Sequence, residues 1–242
     1  MSALLSVTDL QKSFGAVVVA DATSFDVAPG EAVGILGPNG AGKTSLFNLI
    51  TGTLPSDSGR IEFNGKDVTK SSAAARCKMG IARSFQVPQP FGGMTVFENA
   101  LVGATQGAGL TGREAEDHAL SVLEDTGLLA KANQRAGALT LLDRKRLELT
   151  RALAAKPQLL LLDEIAGGLT EAECKSLIET IQNIHAQGTT IIWIEHVVHA
   201  LMAVVDRLIV IDFGKKVAEG EPGAIMESAQ VKEIYLGVDP DG

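Results

Sequence analysis

Apolar residues enter the first third of this chain in short runs and alternations of the kind strands produce. Leu4 to Leu10, Val17 to Val27 and Glu31 to Leu36 alternate or run apolar, and Arg60 to Val68 reads as a hairpin turning on Asn64-Gly65. A helix opening at Thr44 and ending near Gly52 interrupts this β region. From Gln86 to about Arg151 the period lengthens. Glu98 to Ala104, Arg113 to Thr126 and Leu142 to Ala155 read as helices, after a loop marked by Pro88, Pro90, Gly92 and Gly93. Strands and helices then alternate. Gln158 to Leu162, Thr189 to Ile194 and Arg207 to Asp212 are the strands, with helices over Glu171 to Gln187 and His196 to Val205 between them. Phe213 to Val217 completes a late hairpin, and Gly223 to Tyr235 reads as a terminal helix. There is no internal repeat. The pattern predicts an α/β core with an α-helical insertion between two of its strands.

Composition adds bounds to this picture. The 242 residues are 45% hydrophobic and 21% charged, enough for one large core with a subdomain. The net charge of −8 argues against a nucleic-acid partner. Cys77 and Cys174 are far apart and lack metal-ligand spacing, so reduced thiols are expected. Met1 to Ser6 lacks the basic and apolar regions of a signal peptide. The most apolar stretch, Thr189 to Ile211, carries Glu195, His196, His199, Asp206 and Arg207, which argues against a membrane span. Work at a membrane would go through a partner.

Two segments bring chemistry. Gly37-Pro38-Asn39-Gly40-Ala41-Gly42-Lys43-Thr44 is a complete Gly-x-x-x-x-Gly-Lys-Thr phosphate loop between a predicted strand and a predicted helix. Its glycines let backbone N–H groups aim at phosphate oxygens, Lys43 reaches the β- and γ-phosphates, and Thr44 suits Mg²⁺. Leu159-Leu160-Leu161-Leu162-Asp163-Glu164 is a buried-strand pattern closing on two carboxylates. Ligands gather at such strand ends. Asp163 is placed to reach Mg²⁺ through its water shell, and Glu164 to polarise the water that attacks a γ-phosphate. A solvated acidic turn after a core strand is the alternative.

The order of these motifs, with Ser84-Phe85-Gln86 between them and Ile194-Glu195-His196 after them, resembles the ATP-binding subunit of an ABC transporter over essentially the whole chain. The segment from Gly37 through Gly52 is most similar to subunits of branched-chain amino acid importers. Gly80 through Gln86 and the ending Ile234-Tyr235-Leu236-Gly237 point the same way. The resemblance implies a single ABC ATPase domain over residues 1–242. In it, 1–86 and 152–242 form a P-loop nucleotide-binding core with an N-terminal antiparallel β subdomain, and 87–151 form the inserted α-helical subdomain. It also implies roles. Gln86 would sense Mg²⁺ and the attacking water, and His196 would hydrogen-bond the γ-phosphate. Phe14 would stack on adenine, with a plain core position as its competitor. Ser45 would complete the phosphate site beside Thr44. His118, His185 and His199 read as structural.

Three departures stand out. The family's Leu-Ser-Gly-Gly-Gln-type signature meets the γ-phosphate held by the opposite subunit, and here it is Leu139-Thr140-Leu141-Leu142-Asp143. Thr140 keeps the hydroxyl, whereas Leu142 adds a side chain where close backbone approach is wanted. Ile165 stands where the family has proline. Gly167-Gly168-Leu169-Thr170 replaces a loop that normally ends in Asp or Asn, with Thr170 able to cap the next helix. These changes bear on communication between paired sites.

The expectation is therefore an Mg·ATP-hydrolysing subunit of an importer for branched-chain or related amino acids. It would pair with a second ATPase subunit, identical or not, and meet a membrane-subunit helix at Pro88 to Val96. It would lie peripherally on the cytoplasmic face of the inner membrane and serve a periplasmic binding protein indirectly. A regulatory subunit that binds ATP and hydrolyses poorly, and an ABC ATPase for another cargo such as lipopolysaccharide, are the alternatives.

Overall fold

β1 (Leu5–Phe14) and β2 (Val17–Val27) form an antiparallel hairpin whose turn passes through Gly15 at φ +60°. The computed structural model describes residues 3–236. β3 (Ala32–Leu36) leads through the phosphate loop into α1 (Lys43–Thr51). β4 (Ser58–Phe63) and β5 (Lys66–Asp67) turn on Asn64 and Gly65, both at positive φ (+51° and +69°), which a tight two-residue hairpin requires. These strands make a four-stranded sheet in the order β2-β1-β4-β5, antiparallel throughout.

The pattern did not predict the next two elements, α2 (Ala73–Met79) and β6 (Ile81–Arg83). α2 is capped by Ser72, whose hydroxyl accepts from Ala75 N, and stops at Gly80 at φ +107°. Its buried Arg76 donates to the carbonyls of Leu49, Ile50, Thr69 and Ser71 at 2.7–3.1 Å, so one guanidinium caps the end of α1 and anchors α2 to it.

The helical segment is α3 (Val96–Val102), a π-helical stretch over Gly103–Gly107, α4 (Gly112–Asp125) and α5 (Leu141–Ala154). Val96, Ala100, Ala119, Leu123, Leu139 and Leu147 form its own core. A side chain at Gly103 would meet Arg151 O at 2.6 Å, so glycine there permits the π-helical stretch to lie against α5. Leu149 and Ala152, on another face of α5, join the main core, which fixes the segment to it.

The remainder is β7 (Leu159–Asp163), α6 (Glu171–Ala186), β8 (Thr190–Ile194), α7 (Val198–Met202), β9 (Arg207–Asp212), β10 (Lys215–Gly220), α8 (Pro222–Glu227) and α9 (Ala229–Leu236). α7 is shorter than the pattern predicts. The predicted terminal helix is broken at Ser228, whose backbone is extended and whose hydroxyl accepts from Val231 N at 3.2 Å to start α9. Gly237, the last residue of the sequence ending noted above, lies outside the described residues.

The second sheet runs β10-β9-β3-β8-β7-β6, parallel except for β10. Every residue of β3, β7 and β8 is buried, which is why these strands read as unbroken apolar runs. The two-residue period still sorts them. Val33, Ile35, Leu159, Leu161, Ile192 and Ile194 face the core shared with α1 and the antiparallel sheet. Ala32, Leu36, Leu160, Leu162, Ile191 and Trp193 face the core shared with α5, α6 and α7. The carboxyl ends of β3 and β7 emerge at the same edge of the sheet, with the parallel β8 between them.

Candidate nucleotide site

The phosphate loop is wedged into place by backbone on both flanks. A Cβ at Gly37 would meet Ile211 O at 2.1 Å, and one at Gly42 would meet Val19 O at 2.2 Å. Gly40 and Gly42 adopt φ of +84° and +101°, open to glycine at little cost. Gly214, in the β9–β10 turn, donates its N–H to Ala41 O at 2.8 Å, while its carbonyl accepts from Asp21 N at 2.9 Å and Thr23 Oγ1 at 2.7 Å. Ala41 is buried and donates to Pro38 O, Pro38 is half-buried, and Asn39 and Gly40 are exposed at the rim. No side chain caps the start of α1 and its first turn holds no acidic residue, so its positive end stays open to an anion.

Lys43 Nζ donates to Gly37 O at 2.6 Å and Pro38 O at 2.9 Å, which holds the ammonium over the loop. Burial lowers its pKa, opposed by the carboxylates of Glu164 and Asp163. Thr44 is exposed and Ser45 half-buried on the following turn. Phe14 is 53% exposed with Lys12 Nζ 5.4 Å from its ring centre, which excludes the plain core position. It pairs with Val17 at the tip of the hairpin that also supplies Val19 to the loop.

At the end of β7 the three polar residues singled out in the sequence come together. Gln86 Nε2 donates to Glu164 Oε2 at 2.6 Å, and His196 Nε2 lies 2.8 Å from Glu164 Oε1. Glu164 sits at φ +47°, with its N–H on Ile194 O at 2.8 Å. That left-handed backbone turns the carboxylate out of the strand toward Gln86 and His196, and it is costly for a non-glycine residue.

Asp163 is 2% exposed, and burial raises its pKa, opposed chiefly by Arg83. Arg83 Nη2 takes its Oδ2 at 2.5 Å, whereas Oδ1 is buried with no hydrogen-bond partner among the described residues. An orphaned carboxylate oxygen beside a phosphate loop fits a water-mediated Mg²⁺ contact. Among the described residues no cluster of three or more His, Cys, Asp or Glu is placed to hold a metal. Mg²⁺ here would rest on Thr44, Asp163, Gln86 and phosphate oxygens, the usual mode for this ion.

Sequence reasoning passed over Glu195 and Lys145. Glu195, 1% exposed, accepts from Ala166 N at 2.9 Å through Oε2, and from His196 N and Val197 N at 3.0 and 3.4 Å through Oε1. It thus ties the loop after Glu164 to the loop bearing His196. Lys145 on α5 is buried and donates to Glu164 O at 3.4 Å. Burial lowers its pKa, opposed by Glu195 and Glu164. A carboxylate directly after an apolar strand was the available signal.

The signature segment lies at the surface with its polar groups paired within the helix start. Thr140 caps α5, its hydroxyl donating to Asp143 Oδ2 at 2.8 Å and accepting from Asp143 N at 3.3 Å, and Asp143 also pairs with Lys131. Leu142 packs onto the main core, so its side chain does not occupy the exposed face where Leu141 stands, 45% exposed. Ile165 is buried in that same core. Thr170 and Glu173 form a reciprocal capping box at α6. His118, His185 and His199 contact Ala154 O, Thr189 O and Cys174 Sγ.

A family model described as "ABC transporter" matches residues 20–167. The chain is 36% identical to the high-affinity branched-chain amino acid transport ATP-binding protein LivG of Escherichia coli, across 97% of this chain and 98% of that one. It is 33% identical to the corresponding protein BraF of Pseudomonas aeruginosa, with the same coverage. A nucleotide-free ATP-binding cassette from an ABC transporter superposes at TM-score 0.89 with 31% identity, covering 98% of this chain and all of that one. The ADP conformation of an ABC transporter cassette superposes with the same score and identity.

Proposed function

This chain belongs to the ABC transporter ATPases, and from that premise we propose that it is the Mg·ATP-hydrolysing subunit of an importer for branched-chain or related amino acids. The observation that carries the hydrolytic reading is the placement of Glu164. Its carboxylate leaves the end of β7 with one oxygen on Gln86 and the other on His196. A base held so is confined to one small region, and confinement of this kind is what water activation needs.

The phosphate-loop residues Gly37 to Thr44, with Ser45, bind the phosphate chain, and the exposed Phe14 ring stacks on adenine. Bound Mg²⁺ would supply charge neutralisation at the phosphate oxygens. Lys43 swings its ammonium from the Gly37 and Pro38 carbonyls to the β- and γ-phosphates and offsets developing charge. Glu164 orients and deprotonates the attacking water. His196 donates to the γ-phosphate, and Gln86 joins this site to the helical segment.

Partners follow from the same reading. A second ATPase subunit presents Thr140 and the N-terminus of its α5 to the phosphates held here. The segment Pro88 to Val96 is anchored on α5, Gln89 N donating to Glu148 Oε1 at 2.8 Å and Arg151 Nη1 to Gln89 O at 2.9 Å. Glu148 and Arg151 also line an apolar groove of about 370 Å³ with Cys77, Phe85, Val102 and Gly103, a shape suited to a short helix of a membrane subunit. Among the described residues no helix is long and apolar enough to cross a membrane. Attachment to integral partners on the cytoplasmic face is proposed from the likeness to transport ATP-binding proteins. A periplasmic binding protein would deliver cargo without touching this chain.

Glu164→Gln tests the function. ATP binding retained with turnover lost is the expected result. Wild-type binding without Glu164-dependent turnover, even with the membrane subunits present, would refute hydrolysis and leave a regulatory subunit. Cargo is tested by reconstituting the transporter and measuring leucine, isoleucine and valine uptake. Uptake of none of them would remove that assignment.

A further inference from the structure

Arg83 lies outside the motifs that define the site, yet it touches them from two sides. One end of its guanidinium takes Asp163 Oδ2 at 2.5 Å, and the other takes Asn48 Oδ1 at 2.6 Å. Asn48 follows Thr44 by one helical turn, so both sit on the same face of α1. A single planar fork therefore spans the end of β7 and the face of the phosphate-loop helix that carries Thr44. The two side chains of the ion pair are 7% and 3% exposed, which removes the pair from solvent screening.

The guanidinium also lies near two aromatic rings. Its centre lies 5.5 Å from the Phe47 ring and 5.1 Å from the Phe85 ring. Phe47 is fully buried, but Phe85 is 49% exposed and, with Arg83, lines the groove between core and helical segment. One wall of the clamp is fixed and the other is open to whatever fills the groove.

We propose that Arg83 is a positioning residue for Mg²⁺, holding Asp163 by Oδ2 so that Oδ1 faces the metal, with Phe85 as the point at which groove occupancy adjusts that hold. The inference rests on the reading of Asp163 as the carboxylate on the metal side. A buried carboxylate oxygen left without a donor keeps an acceptor position free for a metal-bound water. Here Oδ1 is buried and unpartnered among the described residues. Arginine's fork suits the task because one Nη holds Asp163 while the other holds Asn48, which ties the carboxylate to the phosphate-loop helix.

The test is a titration of Mg²⁺ into the full-length protein holding a fluorescent ATP analogue, with affinity in EDTA measured alongside. Arg83→Met should leave the EDTA affinity unchanged and raise the half-saturating Mg²⁺ concentration roughly 10–100-fold, the range for loss of a group that orients a metal ligand. Arg83→Lys, which keeps the charge without the fork, should recover part of this shift. Phe85→Ala should move it in the same direction by a smaller factor. Unchanged or tighter Mg²⁺ dependence in Arg83→Met would overturn the positioning role, and an unshifted Phe85→Ala would overturn the link to the groove. If melting curves show Arg83→Met unfolded, Asn48→Ala and Phe85→Ala decide the matter, since each loosens one side of the clamp. No shift in either refutes the proposal. Absence of any nucleotide binding by the wild-type chain would instead refute the nucleotide reading itself.

Discussion

Glu195→Gln perturbs the site while leaving the phosphate loop, Asp163, Glu164, Gln86 and His196 in place. The native carboxylate receives N–H groups from Ala166 at 2.9 Å, His196 at 3.0 Å and Val197 at 3.4 Å, and it opposes the buried charge of Lys145. An amide keeps one acceptor oxygen, so one of the two short bonds is lost and a buried NH₂ faces an N–H donor. Losing a charge-assisted bond costs about 1.5–3 kcal/mol, and removing part of the compensation for Lys145 adds about 1 kcal/mol. The total is about 3 kcal/mol, or roughly 6–12 °C in melting temperature for a chain of this size. Thermal and urea unfolding followed by circular dichroism measure it. Turnover should also fall below the melting range, because Ala166 and His196 flank Glu164 on two loops that Glu195 holds together. A double-mutant cycle with Lys145→Met should give a coupling energy of about 1–3 kcal/mol. A Glu195→Gln protein as stable as wild type and equally active would refute the reasoning. Lost stability with unchanged turnover would confine Glu195 to packing.

Arg76→Met should cost roughly 3–5 kcal/mol in urea unfolding, since it abandons four charge-assisted bonds, two of them to buried carbonyls; a change near zero would refute that account of α2. Leu142→Gly should lower stability by about 1–3 kcal/mol through lost burial and poorer helix propensity, with turnover unchanged because the side chain faces the core. A rise in turnover would show that Leu142 obstructs the phosphate surface. Glu31 has its pKa lowered below 4.5; burial pushes it up, but the Arg207 hydrogen bond and the Ala28 N–H outweigh this. The unfolded state then binds the proton first, so this stabilisation is complete above pH 4.5 and is lost as pH falls through the folded-state value below it. Glu31→Gln should therefore flatten the acid limb of a melting-temperature profile, and an identical slope in both proteins would refute the linkage.

The strand order and the contents of the site were not equally legible. β3, β7 and β8 announced themselves because burial on both faces forces unbroken apolar runs, and the hairpin at Asn64-Gly65 because its backbone needs those residues. Gln86, Glu164 and His196 were singled out from separate segments and meet within hydrogen-bond distance. α2 escaped because Ala73 to Met79 offers no apolar period, its order coming from Arg76 reaching carbonyls of another helix. β6 is three residues long and has no pattern of its own. Arg83 escaped for a related reason, its partners Asn48 and Asp163 being more than twenty residues away, and so did the bond from Ala166 that makes Glu195 a tie between two loops. The packing of Leu142 against the core was equally hidden, because the motif's register says nothing about which way a side chain turns.

The interlock of the phosphate loop with β2 and the β9–β10 turn bears on how the chain can be divided. The family model ends at residue 167, but β3, from whose end the loop departs, has β8 and β9 as its sheet neighbours. A fragment cut at that boundary would keep every letter of the phosphate-binding motif and lose both strands flanking it, along with the Ile211 and Gly214 contacts that seat it. The motif is local in sequence, whereas the competence to bind belongs to a unit closed only near residue 220. Fusion junctions, split reporters and truncations should respect that later boundary, and a chain released before β9 is complete would carry the motif without its seat.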